Sequence, residues 1–259
     1  MAKNSSEITE SGMQLPLTLS FGAGISMDSF CVCPSNVAAY NYMNESVNTA
    51  REERRFLYLY GPSGSGKTHL IKGATLRAEA MGMHATVLDM AKVSEFDWDS
   101  MYTMMVGVES YDVILLDNID AIAGNSDLEA EIFSLYNRWL GEPSGFLAVA
   151  SHESPTKSGF GKRDLISRFS SGVTLSVDCL PPEMFPEMLM RREKAKGGIL
   201  PASRAEQISR RVDNIRDAVK AVDLIDDTSI ANKKGVTKNL VNQVLDRLFK
   251  KEDDKSKIF

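Results

Sequence analysis

The chain carries the stretch Phe56-Leu57-Tyr58-Leu59-Tyr60-Gly61-Pro62-Ser63-Gly64-Ser65-Gly66-Lys67-Thr68. The first five residues are apolar or aromatic, as in a buried strand, and a glycine-rich turn follows. A helical pattern then runs from Thr68 through His69-Leu70-Ile71 towards Met81, with Gly82 as its C-terminal stop. A strand that turns through glycines into a helix ending the motif Gly-Lys-Thr is a phosphate cradle. The glycines let consecutive backbone amides turn towards a polyphosphate, and the helix N-terminus adds its positive end. Lys67 reaches the outer phosphates, and Thr68 offers a hydroxyl to Mg²⁺. All eight residues from Gly61 to Thr68 are therefore expected to bind nucleotide.

Working outward, further short apolar runs occur at Ala85 to Met90, Val113 to Leu116, Phe146 to Ala150 and Val173 to Val177. Continuous apolar runs of this length are how parallel strands covered on both faces read. The third strand, in Tyr111-Asp112-Val113-Ile114-Leu115-Leu116-Asp117-Asn118, ends in Asp117. A protein with such a cradle needs a carboxylate there to hold the metal ion. The next position is Asn118, an amide that cannot act as a base, so slow intrinsic hydrolysis is expected. Helices are expected from Asn36 to Ser46 and from Leu128 to Leu140. The second has Ser126 and Glu129 as a capping box, and Leu128, Ile132, Leu135, Tyr136 and Trp139 at helical spacing.

After Leu180-Pro181-Pro182 only helical patterns remain, at Glu183 to Lys196, Ala202 to Val212, Ile215 to Leu224 and Lys238 to Lys250, the last entered through Thr237 as a cap. The expected organisation is a polar tail over 1–25, an α/β nucleotide-binding domain with a five-stranded parallel sheet over 26–180, a helical lid over 181–250 and a charged tail over 251–259. Composition agrees: 43% hydrophobic, 25% charged, 18 Gly and 9 Pro exclude disordered and fibrous classes. A net charge of −5 disfavours a protein that coats nucleic acid, though a local basic patch stays open. Cys31, Cys33 and Cys179 are odd in number, which points to a reducing compartment. No run approaches the roughly 18 apolar residues of a membrane span, so the cytoplasm is the default location. His69 and His84 read as structural, and Cys31 and Cys33 as buried thiols without further ligands.

The run from Leu57 to Ala74, with Asp117-Asn118-Ile119-Asp120, Glu131 to Leu140, Asp164 to Gly172 and Gly197 to Val219, resembles the DnaA-related AAA+ family. Within that family it is nearest to the branch of the DnaA regulatory inactivator Hda. The resemblance spans about Gln14 to Leu248 and implies an AAA+ fold with a lid, binding ADP or ATP and Mg²⁺. It implies that Arg168 is an arginine finger entering a neighbouring protomer's site, and that Arg216 is the lid arginine called sensor 2. On residues alone, Arg168 is a surface arginine and Arg216 a helix-surface charge facing Asp213. The resemblance also makes Ser151 the sensor 1 residue, with His152 where relatives often have an acid. Phe30, Pro34 and Asn36 become base-pocket residues, although core packing accounts for them equally well.

Gln14-Leu15-Pro16-Leu17-Thr18-Leu19 resembles the peptide by which such proteins dock on the DNA polymerase sliding clamp. Gln14 would meet polar groups at a pocket mouth, and Leu15, Leu17 and Leu19 would fill an apolar groove. The sequence stops shortly after the lid, so no duplex-reading domain is expected. The resemblance implies two partners, the clamp and DnaA itself, with a homodimer or oligomer also open. The implied function is a regulator of replication initiation that promotes hydrolysis of DnaA-bound ATP. The alternatives are an autonomous AAA+ ATPase of helicase-loader type, or a nucleotide-dependent clamp scaffold.

Overall fold

A computed structural model describes residues 24–231 and 235–253. Five strands form one sheet: β1 (Arg54–Tyr60), β2 (Ala85–Asp89), β3 (Val113–Asp117), β4 (Gly145–Ser151) and β5 (Val173–Ser176). Their order is β2-β3-β4-β1-β5 and every pairing is parallel. The three inner strands are the most apolar, and β3 and β4 are buried along their whole length. Strand β5 lies at an edge, pairs only with β1 and is largely exposed.

The helices are α1 (Val37–Asn48), α2 (Lys67–Ala80), α3 (Met90–Val93), α4 (Trp98–Met105), α5 (Ser126–Gly141), α6 (Arg163–Ser170), α7 (Phe185–Ala195), α8 (Ala202–Ser209), α9 (Ile215–Ala231) and α10 (Lys238–Asp253). One core layer sets α5 and α6 against the sheet, with Trp139, Tyr136, Phe169 and Phe56 packed ring on ring. The other sets α1 and α2 on the opposite face through Met43, Leu70, Ile71, Leu57 and Leu59. The α7–α10 helices pack around Leu189, Ile208, Val222, Ile225, Val241 and Leu245.

Three sequence readings are revised. The cap of α5 is Asn125, whose side chain accepts from the Asp127 and Leu128 amides, and not Ser126. Glu129 closes no capping box: it is buried, and its carboxylate accepts from the amides of Gly124, Gly161 and Lys162 at 2.8, 3.0 and 2.7 Å. Finally, α9 runs past Leu224 to Ala231, because nothing in Ile225-Asp226-Asp227-Thr228 stops a helix. The Thr237 cap does form, its hydroxyl accepting from the Leu240 amide at 3.2 Å. Cys31 and Cys33 are buried, as expected, but in the core of the helical lid. Burial raises the Cys31 thiol above its ordinary value. The tail peptide Gln14 to Leu19 lies outside the described residues. Among the described residues no helix is long and apolar enough to cross a membrane.

Candidate functional site

In a parallel sheet the strand ends carry the site. Strand β1 leads into Gly61, β3 ends at Asp117 and β4 ends at Ser151, all at one edge. The Gly61 amide donates to the Ser151 carbonyl at 3.3 Å, which pins the loop to the end of β4. Two glycines there admit no side chain: a Cβ on Gly61 would lie 2.1 Å from the Val177 carbonyl oxygen, and one on Gly66, at φ 99°, would lie 2.9 Å from the Phe30 ring. The loop then enters α2, so the helix N-terminus opens into a cavity of about 500 Å³ lined by Ser63 to Thr68.

Lys67 is buried, and its Nζ donates to the carbonyls of Gly61 at 2.7 Å and Pro62 at 3.0 Å. Burial lowers its affinity for the proton, while Asp117 and Asp120 oppose that. Thr68 Oγ1 donates to Asp117 Oδ2 at 2.7 Å. Asp117 is 4% exposed, and burial raises its carboxyl above the ordinary value. A hydroxyl and a carboxylate touching at the cradle fit Mg²⁺, which takes few protein oxygens and draws its other ligands from phosphate and water. Asn118 holds a left-handed backbone at φ 54°, and its Nδ2 donates to Asp89 Oδ1 at 2.8 Å.

Phe30, Asn36, Leu180, Met188 and Arg192 also line the cavity. Phe30 stacks on Tyr40, and His69 meets its edge. His69 Nε2 reaches the Ser26 carbonyl at 2.9 Å and the Ser29 hydroxyl at 3.1 Å, so this histidine ties the segment to α2; burial lowers its proton affinity. Asn36 lines the cavity, but its amide is engaged with the Cys31 carbonyl and the Cys33 amide. Pro34 is exposed and stands outside the lining, so the expected base-pocket role does not fit its position.

From the lid, Arg216 lines the cavity beside Gly64. It has no ion pair among the described residues and does not pair with Asp213. Ser151 is fully buried, its hydroxyl 3.0 Å from that of Ser158, and it does not line the cavity. The neighbouring His152, which stands where relatives often have an acid, does. Arg168 lies outside this cavity. It is half-buried on α6, its guanidinium 5.9 Å from the ring centres of Phe133 and Tyr136, with no carboxylate partner among the described residues. Glu129 fixes the start of that helix through the Gly161 and Lys162 amides.

A five-stranded parallel sheet, a glycine loop opening a helix, an aspartate at the end of β3 and a helical lid over the cradle define a P-loop protein of AAA+ type. The bacterial DnaA ATPase domain matches residues 23–176, more than half of the chain. The chain belongs to that family.

Solved structures agree on the fold. Domain III of the Thermotoga maritima initiator DnaA superposes with a TM-score of 0.72 at 21% identity, over 86% of this chain and 96% of that one. AMPPCP-bound DnaA from Aquifex aeolicus gives 0.66 at 22% identity, over 89% and 70%. A DNA replication initiation factor gives 0.64 at 22% identity, over 78% of this chain, and the match spans only 64% of that protein's length.

Proposed function

We propose that the chain is a DnaA regulator that binds adenine nucleotide, docks on the sliding clamp and promotes hydrolysis of ATP held by DnaA. The observation that carries this reading is Arg168: a guanidinium presented by an anchored helix, outside its own nucleotide cavity and without a carboxylate partner among the described residues. Such a group is suited to a neighbouring protomer's phosphates, where it meets charge developing on the transferred phosphoryl group and is worth a factor of about 10³ to 10⁵.

The chain's own nucleotide, ADP in the resting protein, has a structural task in this reading. The loop amides and Lys67 hold its phosphates, Phe30, Leu180 and Met188 enclose its base, and Arg216 couples the phosphates to the lid. Mg²⁺, held by Thr68 and Asp117, would neutralise phosphate charge there. Asn118, which offers no carboxylate to polarise water, agrees with slow turnover. Clamp docking rests on Gln14, Leu15, Leu17 and Leu19.

The test follows phosphate release from ATP-loaded DnaA of the same source, with the chain added in its ADP form and with or without clamp loaded on DNA. Acceleration that needs the clamp and disappears in Gln14→Ala is the expected result. No acceleration, with ADP and clamp still bound, would leave a scaffold. Brisk turnover by the chain alone would make it an autonomous ATPase.

A further inference from the structure

Asn118 offers no carboxylate, but another titratable side chain stands at the same end of the sheet. His152 follows directly on β4, the strand between the one that leads into the cradle and the one that ends at Asp117. His152 lines the same cavity as Lys67, Thr68 and Asn118. Asp120, in the 3₁₀ turn after β3, grips it twice: Oδ2 lies 2.7 Å from Nδ1, and Oδ1 accepts from the His152 amide at 3.3 Å.

A carboxylate that accepts from Nδ1–H fixes the tautomer and leaves Nε2 as a bare acceptor. Nε2 has no partner among the described residues. Asn118 is tied away to Asp89, so its amide does not compete for that position.

We propose that His152 is the proton acceptor for this chain's own nucleotide hydrolysis, with Asp120 as its positioning residue. The proposal rests on the reading that ATP binds in this cavity. A water oxygen forms its bond to the outer phosphorus. The bond from that phosphorus to the bridging oxygen breaks, and its electron pair leaves with ADP. The water's proton passes to His152 Nε2 and from there to solvent, and inorganic phosphate is released. The site thus turns over slowly and brings the chain to its ADP form without an acid after Asp117.

The experiment uses the whole chain and two readouts besides turnover. The sequence has 3 histidines, so nitrogen-detected NMR resolves each ring. His152 is expected as the Nδ1–H tautomer, and Asp120→Asn is expected to release it. His152→Ala is expected to lower single-turnover ATP hydrolysis about 10²-fold, the lower end of what a general base supplies. Over the same change, Kd for ADP and for a non-hydrolysable ATP analogue stays within about threefold.

Asp120→Asn should lower the rate about tenfold. A proton on Nε2 in the parent chain would overturn the proposal. So would hydrolysis within about threefold of the parent in His152→Ala, or a loss of analogue affinity that matches the loss of rate, which would make His152 a phosphate contact. Nucleotide binding without any turnover by the parent, at every protein concentration, would overturn it while the nucleotide-binding reading stands. No nucleotide binding would remove both.

Discussion

Gly66→Ala tests how the cradle is shaped. The backbone at φ 99° costs a side-chain-bearing residue about 1–2 kcal/mol. The new Cβ would also come within 2.9 Å of Phe30 Cε2, on a ring only 5% exposed and stacked on Tyr40, so it has little room to withdraw. Overpacking of this kind costs about 1–3 kcal/mol, which brings the total to about 2–5 kcal/mol. Phe30→Leu removes the ring edge that the Cβ would meet and itself costs roughly 1.5 kcal/mol. In that background Gly66→Ala should retain only the backbone cost, a coupling of about 1–3 kcal/mol. Urea unfolding of the four proteins gives the cycle. Equal costs of Gly66→Ala in both backgrounds would refute the claim that the Phe30 ring holds this position to glycine. At an ADP concentration of 100 times the parent's Kd, which stabilises the parent by roughly 2.7 kcal/mol, both alanine proteins should also gain less.

Glu193, between α7 and α9, is pushed up to about 7 by burial and by Asp226, against the pull of Lys196 at 2.8 Å. A carboxyl raised in the folded state contributes stability that is full below its unfolded value of 4.5 and is lost as pH rises through about 7. The stability of Glu193→Gln relative to the parent should therefore climb by up to about 3 kcal/mol between pH 4.5 and 8, and a flat difference would contradict this. Glu129→Gln leaves at least one of the Gly161 and Lys162 amides poorly paired, a cost of about 1–3 kcal/mol; stimulation of DnaA should fall while ADP affinity holds. Asp117→Asn removes a buried charge, so the nucleotide-free protein should unfold no more easily at pH 7 than the parent. Its Mg²⁺-dependent gain in ATP affinity should vanish, as titration with and without Mg²⁺ would show.

The sheet was legible because parallel strands covered on both faces read as plain apolar runs, and the cradle because its function requires glycines, a lysine and a hydroxyl at fixed spacing. Short helices such as α6 were not, since Leu165 and Phe169 are its only fully buried residues, with Ile166 half-buried beside them, and so few set no period. The cap of α5 was ambiguous because Asn125, Ser126 and Asp127 all suit it. Glu129 and His152 find their partners 32 residues away, at Gly161 and Asp120 respectively, across elements that only the fold brings together. The same holds for Cys31 and Cys33, which come before β1 yet pack in the lid core, and for Phe30, whose ring closes on the backbone of Gly66.

The most direct test of the account separates what Arg168 does for the fold from what it does for a neighbour. Two ring contacts at 5.9 Å and no carboxylate partner among the described residues leave Arg168→Ala costing the fold about 1 kcal/mol. Single-turnover hydrolysis of DnaA-bound ATP, with saturating chain and loaded clamp, should nevertheless slow by about 10³-fold or more. Arg168→Lys should not restore the rate, because an ammonium lacks the planar fork. Full stimulation by a folded, ADP-bound Arg168→Ala protein would contradict the account at its centre.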